Sequence, residues 1–166
     1  MAGAKDKVPA ETRWELATKG LTGACVAYLN ALQEILSEEK FNEFQRALWS
    51  QAGQQAKELA DSVGLTVRRP RDVHEAMDLL ATTGMGPEFT FEVVDATEDK
   101  CVGKTTKCPW HERWKELGLK RDICQAGHQS WGEGVVESLG GGCSFSLTKN
   151  MVRGDPYCEW TIQRKS

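Results

Sequence analysis

The chain has 166 residues, 40% of them apolar and 27% charged, with a formal net charge of -3. These are the values of a globular unit with an ordinary core, and they give no electrostatic reason to expect nucleic acid. No stretch reaches the roughly 18 consecutive apolar residues of a membrane span, and the N-terminal segment lacks a basic-then-apolar leader, so the expectation is a cytoplasmic protein with no membrane partner.

From Glu11 to Leu36, the residues Trp14, Ala17, Leu21, Ala24, Cys25, Tyr28, Leu29, Leu32 and Leu36 recur at three- and four-residue steps. This predicts a helix with that stripe turned inward, kinked at Gly20 or Gly23. Ser37 predicts the cap of a second helix, with Phe41, Phe44, Leu48, Ala52, Ala56, Leu59 and Val63 inside and Gly64 at its end. After "VRRPR", read as a linker or a local partner for carboxylates, Asp72 and Glu75 resemble a capping box. The third helix then runs to Leu80, is closed by Gly84 and Gly86, and carries His74 on its solvated side.

At Pro87 the period drops to two. "EFTFEVVDA" predicts a half-buried strand, paired as a hairpin with a second strand from about Cys101 to Lys107. Pro109 suits the first position of a helix carrying Trp110, Trp114 and Leu117 on one face, stopped by Gly118. Asp122 then caps a helix containing Cys124, His128, Trp131 and Val135, ended by Gly140 to Gly142. Those glycines lack the lysine and the setting of a phosphate loop. "CSFSLTKNM" and "CEWTIQ" alternate about the turn "RGDPY", with Cys158, Trp160 and Ile162 on one side. The expected fold class is α+β: three N-terminal helices followed by a small antiparallel sheet of two hairpins with two intervening helices. Residues 1–83 form the helical part and 84–166 the α/β part of one compact unit.

In a reducing compartment the six cysteines are thiols, ligands or nucleophiles rather than disulfides. Cys25 falls among apolar helical positions and reads as an inert buried thiol; Cys101, Cys108, Cys124, Cys143 and Cys158 cluster later. Cys124, in the first turn of a helix, has His128 four residues on and therefore on the same face. A helix N-terminus favours the thiolate, so Cys124 is the candidate nucleophile and His128 the group that moves the proton. The competing functional reading makes Cys108, Cys124, His128 and Cys158 a tetrahedral set for zinc or ferrous iron, although no CxxC spacing supports it. Cys143 lies near the other end of its hairpin, roughly 20 Å from Cys158 at about 3.3 Å per residue, and is left out. The plain alternative is that these cysteines and one satisfied histidine fill core space. Trp110, Trp114, Trp131 and Trp160 are likewise core residues or the wall of a substrate pocket.

The order "TTKCPWHERWKELGL", "DIC" and "RGDPYCEWTI", after "DVHEAMDLL" and "FEVVDAT", resembles the L-2-amino-thiazoline-4-carboxylic acid hydrolase family, from about Asp72 to Gln163. It is distantly similar to the vinyl-reductase-type ligand-binding domains. The resemblance implies a helical N-terminal part with an α/β C-terminal part, and three motif cysteines at Cys108, Cys124 and Cys158. It also implies hydrolysis of a C–N bond in a small cyclic amidine-type molecule, while the broader relatives bind small hydrophobic ligands or a cysteine-ligated zinc. Where the family sets an aspartate shortly after the middle cysteine, this chain has "CQAGHQSW", which puts His128 in that place. The implied partner is a small-molecule substrate or ligand, and the assembly considered is a homodimer.

Overall fold

The computed structural model describes residues 7–119, 121–140 and 142–165. Four helices open the chain: α1 Ala10–Ile35, α2 Glu38–Gln54, α3 Ala56–Ser62 and α4 Pro70–Met85. A hairpin of β1 Glu92–Ala96 and β2 Lys100–Thr105 follows, then α5 Pro109–Glu116 and α6 Gln125–Ser138, then β3 Cys143–Lys149 and β4 Cys158–Arg164. The class is the α+β one expected from the sequence, but β2 also pairs with β4, through Thr105 with Cys158, Gly103 with Trp160 and Cys101 with Ile162. The two hairpins are thus one antiparallel sheet of order β1-β2-β4-β3.

Local chemistry sets most boundaries. Ser37 accepts the Lys40 N–H at 3.4 Å, and Pro109 occupies the first turn of α5, where its missing N–H is no loss. Asp72 accepts the N–H groups of Arg68 and Arg69 at 2.9 Å each, so it is the third residue of α4 rather than its cap, and the helix begins at Pro70. The expected second helix is interrupted at Gln55, which makes four N-terminal helices instead of three. Its inner face also differs: Phe41 and Gln45 are buried, whereas Phe44, Leu48 and Val63 are exposed. Gly141, one of the three glycines expected to close α6, lies outside the described residues.

Two sequence expectations reverse. Helix α1 runs unbroken through Gly20 and Gly23, and its buried residues are Thr18, Thr22, Val26, Leu29 and Gln33. Ala17, Leu21, Ala24 and Tyr28, expected inside, face out. The polar residues are tolerated inside because their groups are bonded: Thr22 Oγ1 donates to the Thr18 carbonyl at 2.8 Å and Gln33 Nε2 to the Asp122 carbonyl at 3.2 Å. His74, expected on the surface, is 5% exposed, stacked on Trp160 with centroids 5.7 Å apart. It fits there because Gly103 opposite has no side chain; a Cβ would meet both rings at about 2.5 Å.

Two clusters make up the core. One joins Val73 and Met77 to the inner sheet face of Cys101, Phe145, Trp160 and Ile162, and the other joins Val26, Leu29 and Phe41 to Trp110 and Ile123.

Candidate functional site

Between α1, α2, α4, α6 and the inner face of the sheet lies a cavity of about 320 Å³. The helix α1 contributes Thr22 and Cys25, α2 Trp49 and Ala52, and the end of α4 Met85. Phe89 and Phe91, just before β1, close one side. Cys108, Cys124, His128 and Cys158 all line it, so the three sulfurs and the imidazole, brought from separate segments, face one space. Of the four tryptophans singled out, Trp110 and Trp131 line the cavity. Trp160 is fully buried behind His128, with centroids 5.8 Å apart, and Trp114 lies outside the lining, stacked at 5.7 Å on His111, which does line the cavity. Trp49 was missed: it packs edge-on to Trp110 at 5.2 Å and supplies a third aromatic wall. Its signal was its place one turn after Gln45 on the buried face of α2.

The turn bearing Cys124 is held by buried amides. Gln45, 1% exposed, donates to the Ile123 carbonyl and accepts the indole N–H of Trp49 at 2.7 Å. Arg121 donates to the Gln33 carbonyl at 2.9 Å. Outside this turn is a polar groove of about 850 Å³ bordered by Arg46, Arg121, Asp122, Glu133 and Arg153. Ile123 and Cys124 line both spaces, so Cys124 stands in the wall between the groove and the cavity. The inner cavity is the candidate site, because only there do the thiols and the imidazole converge.

Its electrostatics correct the thiolate expectation. Cys124 is the N-cap of α6, but Asp122 Oδ1 already accepts the N–H groups of Cys124 and Gln125 at 2.8 Å each. The positive end of the helix is therefore satisfied by a carboxylate beside the thiol. Burial, then the neighbouring Cys108 and Cys158 thiols, then Asp122 push Cys124 well above its ordinary value. Burial also takes Cys108 up to about 12 and raises Cys158, although the Met151 N–H at 3.3 Å from its sulfur works the other way. Burial alone takes His128 down to about 4. Cys108, Cys124 and His128 are only partly buried and line the cavity, so a molecule inside it can reach them. The imidazole nitrogens of His128 bond to no described residue, and its ring touches Trp131, Phe145 and Trp160.

The metal reading finds no support in this geometry. Among the described residues no group of three or more His, Cys, Asp or Glu side chains is arranged to hold a metal ion. The donors Cys108, Cys124, His128 and Cys158 share a cavity without forming a coordination set, and no step is routed through zinc or iron.

A chemical consequence is open to measurement. Because only the thiolate is alkylated efficiently, Cys108, Cys124 and Cys158 of the folded chain should react with iodoacetamide at pH 7.5 at least about tenfold more slowly than in the urea-unfolded chain. Site-resolved mass spectrometry reads the rates, and a fast-reacting Cys124 would contradict the electrostatics.

An α+β fold whose helices and sheet enclose an apolar, thiol-lined cavity is the class defined here. The family described as L-2-amino-thiazoline-4-carboxylic acid hydrolase matches residues 19–162, and the chain belongs to that family. No curated protein matches the sequence. Among solved structures, the phenol-responsive sensory domain of the transcription activator PoxR, with phenol, superposes with a TM-score of 0.62 at 14% identity, over 86% of this chain and 74% of that one. Trafficking protein particle complex subunit 3 from Naegleria fowleri, covalently bound to palmitic acid, gives a TM-score of 0.65 at 14% identity, over 91% of this chain and 96% of that one. At that identity the likeness is one of fold. No described helix is long and apolar enough to cross a membrane.

Proposed function

We propose that this protein binds a small, neutral, largely apolar molecule in the cavity, as a sensor or carrier. The observation that carries the reading is an aromatic-walled space whose thiols and imidazole are all held uncharged by burial. A charged ligand would lose its hydration there without gaining a counter-charge, whereas an apolar one gains by leaving water. The cavity is at the small end of the range for ligand sites, which suits a single ring or a short chain. His128, whose ring nitrogens bond to no described residue, supplies one hydrogen bond to a hydroxyl or carbonyl. The phenol and the palmitic acid of the two structural neighbours are consistent with such contents.

The test follows tryptophan emission while phenol, 1-octanol or octanoate is added at pH 7.5, since Trp49, Trp110 and Trp131 report from the wall. Phenol or octanol should bind, octanoate should bind at least about tenfold more weakly, and Ala52→Trp, which fills the space, should abolish binding. Equal binding of the carboxylate and the alcohol would reject the reading.

Membership of the hydrolase family favours a second reading, in which Cys124 and His128 break a C–N bond. The Cys124 proton would pass to His128, sulfur would add to the amidine carbon, the proton would go to the departing nitrogen as its bond to that carbon breaks, and water would hydrolyse the remaining S-imidoyl group to the amide and restore the Cys124 thiol. Trp110 and Trp131, which line the cavity, would be its substrate-binding residues. Cys124→Ser should then abolish turnover of 2-amino-thiazoline-4-carboxylate while sparing octanol binding.

A further inference from the structure

The face of α1 that points away from the core has an order of its own. Trp14, Leu21, Tyr28 and Ile35 recur every seven residues, and Ala10, Ala17, Ala24 and Ala31 recur every seven residues three places later or four before. This is a two-position heptad stripe sustained along the whole helix, the period that a helix needs when it supercoils with another helix. No described residue covers it: Leu21 is 55% exposed, Tyr28 73% and Ile35 76%, and all four alanines are exposed, with only Trp14 half-buried and donating to the Thr83 carbonyl at 3.2 Å. The side of α1 that packs on the molecule is the separate row of Thr18, Thr22, Val26, Leu29 and Gln33.

We propose that the occupant of this stripe is a second copy of the chain, with the two α1 helices antiparallel about a two-fold axis near Thr22 and Gly23. In that register every large residue meets a small one: Trp14 faces Ala31 of the other copy, Leu21 faces Ala24, Tyr28 faces Ala17 and Ile35 faces Ala10. Each protrusion therefore finds a depression, the fit that close helix packing requires, and an isologous contact repeats it on both sides. The flanking positions agree. Arg13 falls beside Glu34 of the other copy, twice per dimer, and Gly20 falls beside Ala27, so the centre is free of charge and bulk. A parallel pairing would set Tyr28 on Tyr28 and Trp14 on Trp14. Leu21 also lines the cavity, so the seam lies along the cavity's outer wall.

Sedimentation velocity of the full chain at micromolar concentration should give twice the monomer mass. Ala24→Glu puts a charge on each side of the apolar centre and should leave a monomer, with the far-ultraviolet spectrum unchanged because Ala24 is exposed within one chain. Arg13→Glu should weaken the dimer by about tenfold, and adding Glu34→Arg should restore it, which only the antiparallel register explains. A monomeric wild type overturns the proposal; flotation of that monomer with phosphatidylcholine–phosphatidylglycerol vesicles would assign the stripe to a lipid surface instead. A dimer that survives Ala24→Glu, or that the double charge exchange fails to restore, overturns it as well.

Discussion

Gly53→Ala is expected to lower the unfolding temperature by about 10 °C, corresponding to a loss of about 3 kcal/mol. In an ordinary helix interior the same change stabilises by roughly 0.5–1 kcal/mol, because alanine restricts the unfolded chain and glycine does not. The sign reverses here because of what the methyl would meet. Helices α2 and α6 make the most extensive helix contact in the molecule, and they cross with backbone against backbone. A Cβ on Gly53 would press into the carbonyl oxygen of Trp131 and lie 2.9 Å from the Val135 nitrogen; one on Gly134 would press into the Ser50 carbonyl. These are main-chain atoms of regular helices and cannot rotate aside, so the helices must part, opening the contact that sets Trp49 and Trp131 on the cavity wall. Gly134→Ala should behave alike. Gly23→Ala, also inside a helix but with Arg113 Cδ no closer than 4.0 Å, should be neutral or stabilising. Differential scanning calorimetry of the three variants decides it; an unchanged Gly53→Ala would mean that the crossing is looser than these distances.

How far the sequence discloses such features depends on whether they are local. Ser37, Pro109 and Gly118 act on their own turns and the strands show their alternation, so the helices, apart from the break at Gln55, and both hairpins were legible. The pairing of β2 with β4 was not, since nothing in either strand names its partner across the intervening helices. On α1 the apolar stripe was assigned inward; Leu29 is buried and Cys25, Leu32 and Leu36 pack on the core, but Ala17, Leu21, Ala24 and Tyr28 face out. Thr18, Thr22 and Gln33 occupy the buried side because each finds a carbonyl nearby, and a hydropathy pattern does not contain those carbonyls. The convergence of Cys108, Cys124, Cys158 and His128 could be anticipated, because each sits at an element end or on a helix face that topology brings together. Their charge state could not. The sequence puts Cys124 at a helix start, but only the folded turn places the Asp122 carboxylate on the free N–H groups. The third aromatic wall, Trp49, was hidden because the inner face of α2 was set through Phe44 and Leu48, whereas the fold turns Gln45 and Trp49 inward instead.

The second large effect is expected from His128 on lowering the pH. Burial takes its folded-state value down to about 4, against 6.5 for an ordinary histidine. Between those values the unfolded chain binds a proton that the folded chain refuses, so acid favours unfolding. The sign is therefore fixed: stability from this group is full above about pH 6.5, falls as the pH drops through that value toward 4, and falls no further below it. The span of roughly 2.5 units corresponds to about 3 kcal/mol. His74 and His111 are also lowered, chiefly by burial, and tilt the profile the same way, so the wild-type curve alone does not isolate His128. His128→Gln does, since it keeps a polar group in the cavity and removes the titration. Urea unfolding at pH 7.5 and 4.5 should show the wild type losing at least about 2 kcal/mol more than the variant over that interval. Apolar-ligand affinity should fall over the same range, because an imidazolium inside the aromatic walls draws in water and reinstates the charge that burial had removed. Parallel urea profiles for the two proteins would mean that His128 titrates as it does in water, and the cavity would then be open to solvent.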